Sequence, residues 1–141
     1  MNVENSDLIY LPHRLINLSF GKIYCFENMI VSEFHEGSFI DYNSLSEFIS
    51  EVKGYYSADQ KVVYISNRIN SYSVDPVGWF KIGKGYSGLK GIAIINYNQL
   101  NKKVFKVERM FSKKPMMSFS SLYEAVNWAY EITHVKSNKA G

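Results

Sequence analysis

Two short apolar runs, Lys61-Val-Val-Tyr-Ile-Ser66 and Gly91-Ile-Ala-Ile-Ile-Asn96, decide the fold of this chain. Neither run alternates apolar with polar side chains, as a strand with one solvent-exposed face would. Continuous apolar runs of this length, separated by helical sequence, are typical of parallel strands that are covered on both faces. We therefore predict an α/β protein with a parallel centre to its sheet and helices packed against it.

The sequence before this centre predicts an antiparallel hairpin. Lys22-Ile-Tyr-Cys-Phe26 and Met29-Ile-Val-Ser-Glu-Phe-His35 are rich in strand-forming residues, and only Glu27-Asn28 separates them. Asn tolerates the positive φ of a tight turn, which favours a two-residue connection. The predicted organisation is an extended lead-in at 1–14, one domain at 15–133 and a basic C-terminal tail at 134–141.

Capping residues and apolar periodicity predict four helices around a further strand at 116–119. The first helix begins at a capping box formed by Ser44 and Glu47, and the last begins at a second one formed by Ser121 and Glu124. A short helix starts at Asp75-Pro76, with Val77 and Phe80 facing the sheet, because Asp is a good N-cap and Pro suits the first helical position. It runs to about residue 82.

The remaining helix, predicted from residue 98 to residue 111, has an apolar and a basic face. The apolar stripe expected to face the sheet consists of Leu100, Val104, Val107 and Phe111. The basic face consists of Lys102, Lys106, Arg109 and Lys113. Two interpretations of the basic face are open: a solvated outer surface, or a strip for phosphates, acidic proteins or a membrane surface. It lacks the stacking aromatics of a single-strand binder, so no nucleic acid is expected.

Composition and isolated reactive residues argue against several classes of protein. Hydrophobic residues make up 46% and charged residues 21% of the 141 residues, as in globular proteins. No apolar run is long enough to cross a membrane, and no signal peptide is recognisable, so we predict a cytoplasmic protein. Cys25 is the single cysteine and lies in an apolar strand, where an inert thiol is expected.

The sequence shows no catalytic or metal-binding constellation. The three histidines, His13, His35 and His134, are scattered and have no zinc-binding spacing. Glu33 and Glu36 flank His35, and they are interpreted as an exposed polar strand end or, alternatively, as an acid–base pair. We predict no metal, no cofactor and no enzymatic activity, since no nucleophile with an adjacent base is evident.

A dense set of polar side chains follows the first apolar run and forms the candidate binding loop at 66–75. Its members, with Trp79 of the following helix, are Asn67, Arg68, Asn70, Ser71, Tyr72, Ser73 and Asp75. Ligands of open α/β sheets bind beyond the carboxyl ends of parallel strands, and Arg68 has the two-pronged geometry that carboxylates and phosphates favour. The alternative is structural: Asn and Ser side chains satisfy the backbone of an irregular crossover, and Asp75 caps a helix.

The chain resembles the SpoIIAA-like proteins, the STAS-domain group of anti-sigma-factor antagonists, which in some members extend towards lipid-binding SEC14-like folds. The likeness covers the chain from Phe20 onward. It rests on the two apolar runs, on the polar loop and on the closing pattern Phe119-Ser-Ser-Leu-Tyr-Glu-Ala-Val-Asn-Trp128. The resemblance implies a single-domain SpoIIAA/STAS-like mixed sheet with an N-terminal antiparallel hairpin, parallel central strands and about four helices.

The resemblance also implies a function at the polar loop. Antagonists of this family carry a serine that a partner kinase phosphorylates, within an Asp-Ser-Ser-Gly motif. This chain has Ser71-Tyr-Ser-Val-Asp-Pro-Val-Gly78 instead, in which Ser73 is the nearest equivalent by position and Ser71 the next. The implied role is a non-catalytic regulatory or protein-docking module, with a kinase or an anti-sigma-like regulator as partner.

An alternative function and the state of assembly are left open by the sequence. The alternative is a binder of a lipid-like or small anionic ligand, with an apolar pocket between sheet and helices and Arg68 at the ligand's head group. The oligomeric state is not determined by the sequence, and a dimer is compatible with it.

Overall fold

The fold is described from a computed structural model over residues 1–80, 86–98 and 100–136, with the backbone alone for 100–102. Within these ranges the strands are β1 (Arg14–Leu18), β2 (Gly21–Cys25), β3 (Met29–Phe34), β4 (Phe39–Ile40), β5 (Val62–Arg68), β6 (Ser73–Val74), β7 (Leu89–Asn96) and β8 (Met116–Phe119). The helices are α1 (Tyr42–Lys53), α2 (described at 77–80), α3 (Leu100–Phe111) and α4 (Leu122–Thr133), preceded by a 3₁₀ helix at Asp7–Tyr10. No helix in the described ranges has the length and apolarity needed to cross a membrane.

The main sheet of the described chain has six strands in the order β1-β2-β3-β5-β7-β8. The pairs β1–β2 and β2–β3 are antiparallel, whereas β3–β5, β5–β7 and β7–β8 are parallel. A short parallel pair, β4–β6, lies outside this sheet. The predicted hairpin, parallel centre and final strand are therefore confirmed.

Alternate residues of β5 belong to two separate cores. Tyr64 packs in the cluster that contains Phe48 of α1, and Ile65 packs in the cluster that contains Ala125 of α4. Every residue of β5 is buried, since helices cover both faces of the sheet. This double burial explains why the first apolar run shows no alternation with polar residues.

The N-terminal residues form part of the second core. Val3 is fully buried and Leu8 nearly so, in the same cluster as Ala129 of α4. The 3₁₀ helix at Asp7–Tyr10 is capped by Ser6, whose side chain accepts a hydrogen bond from the Leu8 amide. Residues 1–14, predicted as an extended lead-in, thus include a short helix that packs against the sheet.

The two predicted capping boxes have different outcomes. Helix α1 begins at Tyr42, where the Asp41 side chain accepts a hydrogen bond from the Ser44 amide at 2.9 Å. The predicted start at Ser44 was wrong, because Ser44 already lies in the first helical turn. Ser121 does cap α4 as predicted, accepting from the Glu124 amide at 3.2 Å.

The buried face of α3 was predicted incorrectly. Val104 and Val107 are 49% and 48% exposed, and Phe111 is 39% exposed. Among the described side chains of α3, Phe105 and Glu108 are buried. The side chain of Leu100, predicted for the apolar stripe, lies outside the described part of the chain. A charged residue has taken an interior position, so a count of apolar side chains could not identify this face.

The prediction of which α2 side chains face the sheet was also wrong. Val77 is 52% and Phe80 39% exposed, whereas the Trp79 side chain between them is 1% exposed. Residue 82, at which this helix was predicted to end, lies outside the described ranges. The burial of Trp79 places its indole among the polar groups that form the candidate site.

Candidate functional site

The polar residues after the first apolar run lie at the carboxyl end of β5, which is longer than predicted. The strand continues to Arg68, so Asn67 and Arg68 are strand residues rather than loop residues. Asn67 is fully buried and Arg68 is 6% exposed. Burial of these two side chains requires internal partners, since an unpaired polar group in the interior is costly.

Arg68 is paired with a carboxylate of the same chain. Its Nη1 and Nη2 atoms donate to Oε1 and Oε2 of Glu108 at 2.6 and 2.7 Å, a two-pronged ion pair between β5 and α3. Trp79 Nε1 donates to Oε2 of Glu108 at 2.5 Å, and Arg68 Nε donates to Ser66 Oγ at 3.2 Å. The guanidinium therefore has the geometry predicted for binding an anion, but its anion is the internal Glu108.

The surroundings of this ion pair favour the charged guanidinium. Burial by itself lowers the pKa of Arg68, but the hydrogen bonds to Glu108 outweigh it and hold that pKa above its ordinary value. The Tyr72 ring centroid lies 5.6 Å from Arg68 Cζ, and the Tyr72 hydroxyl hydrogen-bonds to Ser66 Oγ at 2.7 Å. We call Arg68, Glu108, Trp79, Tyr72 and Ser66 the Arg68 cluster.

A second buried polar cluster joins β3, β5 and the N-terminus. Asn67 Nδ2 donates to Glu33 Oε2 at 2.8 Å and to the Met1 carbonyl at 2.9 Å, and Asn67 Oδ1 accepts from the Tyr97 hydroxyl at 2.7 Å. The amide of Val3 also donates to Glu33 Oε2 at 2.8 Å. Burial raises the pKa of the Glu33 carboxyl, against the effect of these hydrogen bonds. Glu33 is 7% exposed, so the predicted exposed strand end was wrong for this residue.

Ser71 and Ser73 lie outside both clusters, and their side chains are exposed. Their backbone is nevertheless held: the Ser71 amide donates to Glu36 Oε2 at 2.7 Å, and the Ser73 amide donates to the Ser38 carbonyl at 2.9 Å. The β4–β6 pair aligns Ser73 with Phe39. Two hydroxyl groups are thus presented to solvent from a backbone that is fixed by hydrogen bonds.

The remaining loop residues have structural contacts. Asn70 Nδ2 donates to the Phe34 carbonyl at 3.0 Å. Asp75 Oδ1 accepts from the Val77 amide at 3.1 Å, and the Asp75 amide donates to the Ile40 carbonyl at 3.0 Å. These contacts agree with the structural interpretation of Asn70 and Asp75, since both side chains satisfy backbone groups of the crossover.

Several large apolar side chains on the elements beside this loop are exposed. Phe39 of β4 is 59% exposed and Tyr42 of α1 is 55% exposed. Ile69, directly after β5, is 37% exposed, and Val77 and Phe80 of α2 are about half and two-fifths exposed. Exposed apolar side chains on the elements around one loop offer surface for an interaction.

The predicted basic face of α3 is partly described. Lys106, Arg109 and Lys113 are exposed. The Lys113 ammonium lies 4.3 Å from the Phe80 ring centroid, which connects the end of α3 to α2. The side chain of Lys102 lies outside the described residues. Among the described residues, this contact links the basic face to α2.

Within the described ranges, no group of three or more His, Cys, Asp or Glu side chains is placed to hold a metal ion. Cys25 is fully buried, and burial raises the pKa of its thiol to about 11.

The two polar clusters were not predictable from local sequence, because each joins residues about thirty or more positions apart. The one available signal was an acidic residue, Glu108, on the predicted apolar side of an amphipathic helix.

Comparison with known proteins gives likenesses of structure. No protein-family model and no curated protein sequence matches the chain. It is similar to the crystal structure of a DUF3478-family protein with a SpoIIAA-like fold from Shewanella loihica PV-4. The TM-score is 0.52 and the sequence identity 12%, and the alignment covers 84% of this chain and 92% of that chain. It is also similar to the anti-sigma factor antagonist SpoIIAA in its unphosphorylated form, with a TM-score of 0.46 and 14% sequence identity. That alignment covers 86% of this chain and 100% of that chain. The strand order and the first likeness together show that this chain has a SpoIIAA-like fold.

Proposed function

We propose that this protein is a non-catalytic regulatory module that docks a partner protein beyond the carboxyl end of β5. The docking surface consists of Phe39, Ser71, Ser73, Val77 and Phe80. The observation that carries the proposal is the combination of exposed apolar side chains and exposed hydroxyl groups on a backbone fixed by hydrogen bonds. A surface of this kind loses little conformational freedom on binding, which favours affinity.

The interior behind the docking surface supports a binding role rather than a catalytic one. The charged and polar side chains that could carry chemistry, Arg68, Glu108 and Glu33, are each engaged by internal partners. Their removal from water gives the surface a rigid support. Aromatic side chains such as Phe39 and Phe80 are enriched at protein–protein interfaces.

Ser73 is the better placed of the two serines for a phosphorylation switch. A phosphate adds about two negative charges at neutral pH. On Ser71 that charge would lie beside the Glu36 carboxylate, which already accepts from the Ser71 amide at 2.7 Å. On Ser73 it would lie beside the Phe39 position of the neighbouring strand, which belongs to the docking surface. Phosphorylation of Ser73, by a kinase that itself serves as a partner, would therefore weaken apolar docking there.

Affinity purification from the native cell with matched variants tests this proposal. Val77→Asp and Ser73→Asp place a charge on the docking surface, and we expect partner binding to weaken at least about tenfold, as for a central interface residue. Val104→Asp and Ser46→Asp are the controls: Val104 is 49% exposed against 52% for Val77, and Ser46 is exposed on α1. Arg68→Ala is unsuitable, because it would leave Glu108 buried without its counter-charge.

Partner recovery is compared only between variants whose thermal stability equals that of the wild type. Recovery of the same partners by all four variants would contradict the docking surface. If Val77→Asp loses partner binding and Ser73→Asp does not, docking at α2 is retained and the serine switch is contradicted. Equal loss with the control Val104→Asp would instead assign binding to the exposed face of α3.

A further inference from the structure

A cavity of about 370 Å³ lies between α1 and the sheet, near the amino ends of the parallel strands. Ile30, Tyr64 and Leu89 line it from β3, β5 and β7, and Phe48, Ile49 and Val52 line it from α1. Small-molecule sites usually have volumes of about 300–1,000 Å³. The docking surface lies beyond the opposite, carboxyl end of β5, so the cavity is a separate feature of the fold.

The wall of this cavity is apolar because the tyrosines around it use their hydroxyl groups elsewhere. The Tyr56 hydroxyl donates to the carbonyls of Phe26 and Met29 at 2.6 and 3.1 Å. The Tyr64 hydroxyl is bonded to Ser32 Oγ at 2.6 Å, and the Tyr86 hydroxyl donates to the Ser57 carbonyl at 3.0 Å. The rings therefore contribute to the lining without free polar tips, which suits a hydrocarbon chain better than a sugar or a nucleotide.

Among the described residues that line the cavity, Lys53 is the charged one. Lys53 ends α1 at the mouth of the cavity, and its side chain is exposed. It takes part in neither of the ion pairs found in the described ranges. The exposed Ser87 lies in the lining as a hydroxyl donor. A positive charge beside an apolar chamber is complementary to a molecule with one apolar chain and one anionic head.

We propose that this cavity binds a single-chain amphiphile with an anionic head, such as a medium-chain fatty acid. The chain lies between α1 and the sheet, and the carboxylate meets Lys53 and Ser87. Arg68, the residue predicted to hold such a head group, is engaged by Glu108 and does not line this cavity. Lys53 takes that role at the other end of β5.

Calorimetric titration of the full chain with dodecanoate, below its micelle-forming concentration, tests the proposal. We expect one site, with affinity falling roughly fourfold for each methylene removed when decanoate replaces dodecanoate, because each buried methylene contributes about that factor. Dodecyltrimethylammonium has the same chain with a positive head and should bind more weakly. Lys53→Gln should weaken dodecanoate binding roughly fivefold, the upper range for an exposed ion pair.

Two variants and a second measurement locate the binding. Lys61→Gln removes an exposed charge outside the cavity and should leave the affinity unchanged. Ile49→Trp fills the chamber from the half-buried Ile49 position and should abolish binding. If that variant fails to fold, amide shifts of the wild-type protein on adding dodecanoate give the location: changes at Ile30, Val52 and Leu89 support the cavity.

Several results would overturn the proposal. They are the absence of dodecanoate binding, equal affinity for the cationic amphiphile, unchanged binding by a folded Ile49→Trp protein, and amide shifts centred on α3 instead of the cavity. Co-sedimentation with phosphatidylglycerol vesicles distinguishes the source of the ligand. Binding to vesicles without binding to monomeric dodecanoate would indicate a membrane-surface contact and also overturn the cavity site. None of these assays depends on a protein partner.

Discussion

Replacing Glu108 with Gln should destabilise the protein strongly, because it removes the only charge opposite a buried guanidinium within the described Arg68 cluster. The side chains of Arg68 and Glu108 are 5% and 1% exposed, so water cannot replace the lost carboxylate. Leaving one member of a buried ion pair unpaired costs about 3–5 kcal/mol. Domains of ordinary stability unfold at a cost of about 5–15 kcal/mol, so this loss is a large share of the total.

A second substitution separates the charge from the rest of the contact. Arg68→Met removes the guanidinium but keeps an unbranched side chain, and Gln at position 108 still offers an oxygen to Trp79 Nε1. We therefore expect the double variant Arg68→Met/Glu108→Gln to recover much of the loss. The coupling energy between the two positions should reach about 2 kcal/mol or more, in the upper range for residues in direct contact.

Urea unfolding followed by circular dichroism and Trp fluorescence measures these differences. The matched control is the exposed pair of Lys22 and Glu4, whose atoms lie 3.9 Å apart with side chains 45% and 67% exposed. Lys22→Gln should change the free energy of unfolding by less than about 1 kcal/mol. The reasoning would be refuted if Glu108→Gln cost no more than Lys22→Gln, or if the two single effects at positions 68 and 108 simply added.

Two further predictions concern buried titrating groups. With its pKa raised by burial to about 11, the Cys25 thiol should stay protonated at neutral pH and react with a disulfide reagent far more slowly in the native protein than in urea; equal rates would contradict this. Burial raises the pKa of Glu33 above 4.5, so its protonation favours the folded state. The stability of the wild type relative to Glu33→Gln should therefore be highest below pH 4.5 and fall as the pH rises through the raised pKa, and a pH-independent difference in urea midpoints would be inconsistent with it.

The order of strands and helices could be predicted because it depends on local patterns. The apolar run at 62–65 identifies a doubly covered strand, and the break at Glu27-Asn28 identifies a hairpin. Such patterns record which side chains avoid water in segments of five to ten residues. They are enough to choose the SpoIIAA-like arrangement, which the strand order confirms.

The interior of the candidate site could not be predicted in the same way. Periodicity treats every charged residue as exposed, so it counted Val104 and Val107 as buried but not Glu108 on the same side of the helix. Glu108 is buried because Arg68, forty positions earlier, carries the charge that compensates it. No single-sequence rule indicates that two such distant residues meet, or that Trp79 donates to the same carboxylate.

The first residue of α1 also depends on a tertiary contact that the local sequence does not reveal. Both Asp41 and Ser44 are suitable N-cap residues, and Ser44 also has the Glu three positions later that completes a capping box. The choice of Asp41 follows from the β4–β6 pair, which holds Ile40 in an extended conformation until the helix begins. Tertiary pairing therefore selected between two locally acceptable caps.

The outermost strands of the main sheet, β1 and β8, affect how molecules of this protein behave towards one another. Open strand edges can pair with a second molecule and start aggregation. Strand β8 has only four residues and follows Pro115, which has no amide hydrogen to donate, and β1 has five residues with Arg14 exposed at its start. Short edges that carry a proline or a charge offer little template for another strand. The sheet is thereby protected against edge-to-edge growth at high concentration.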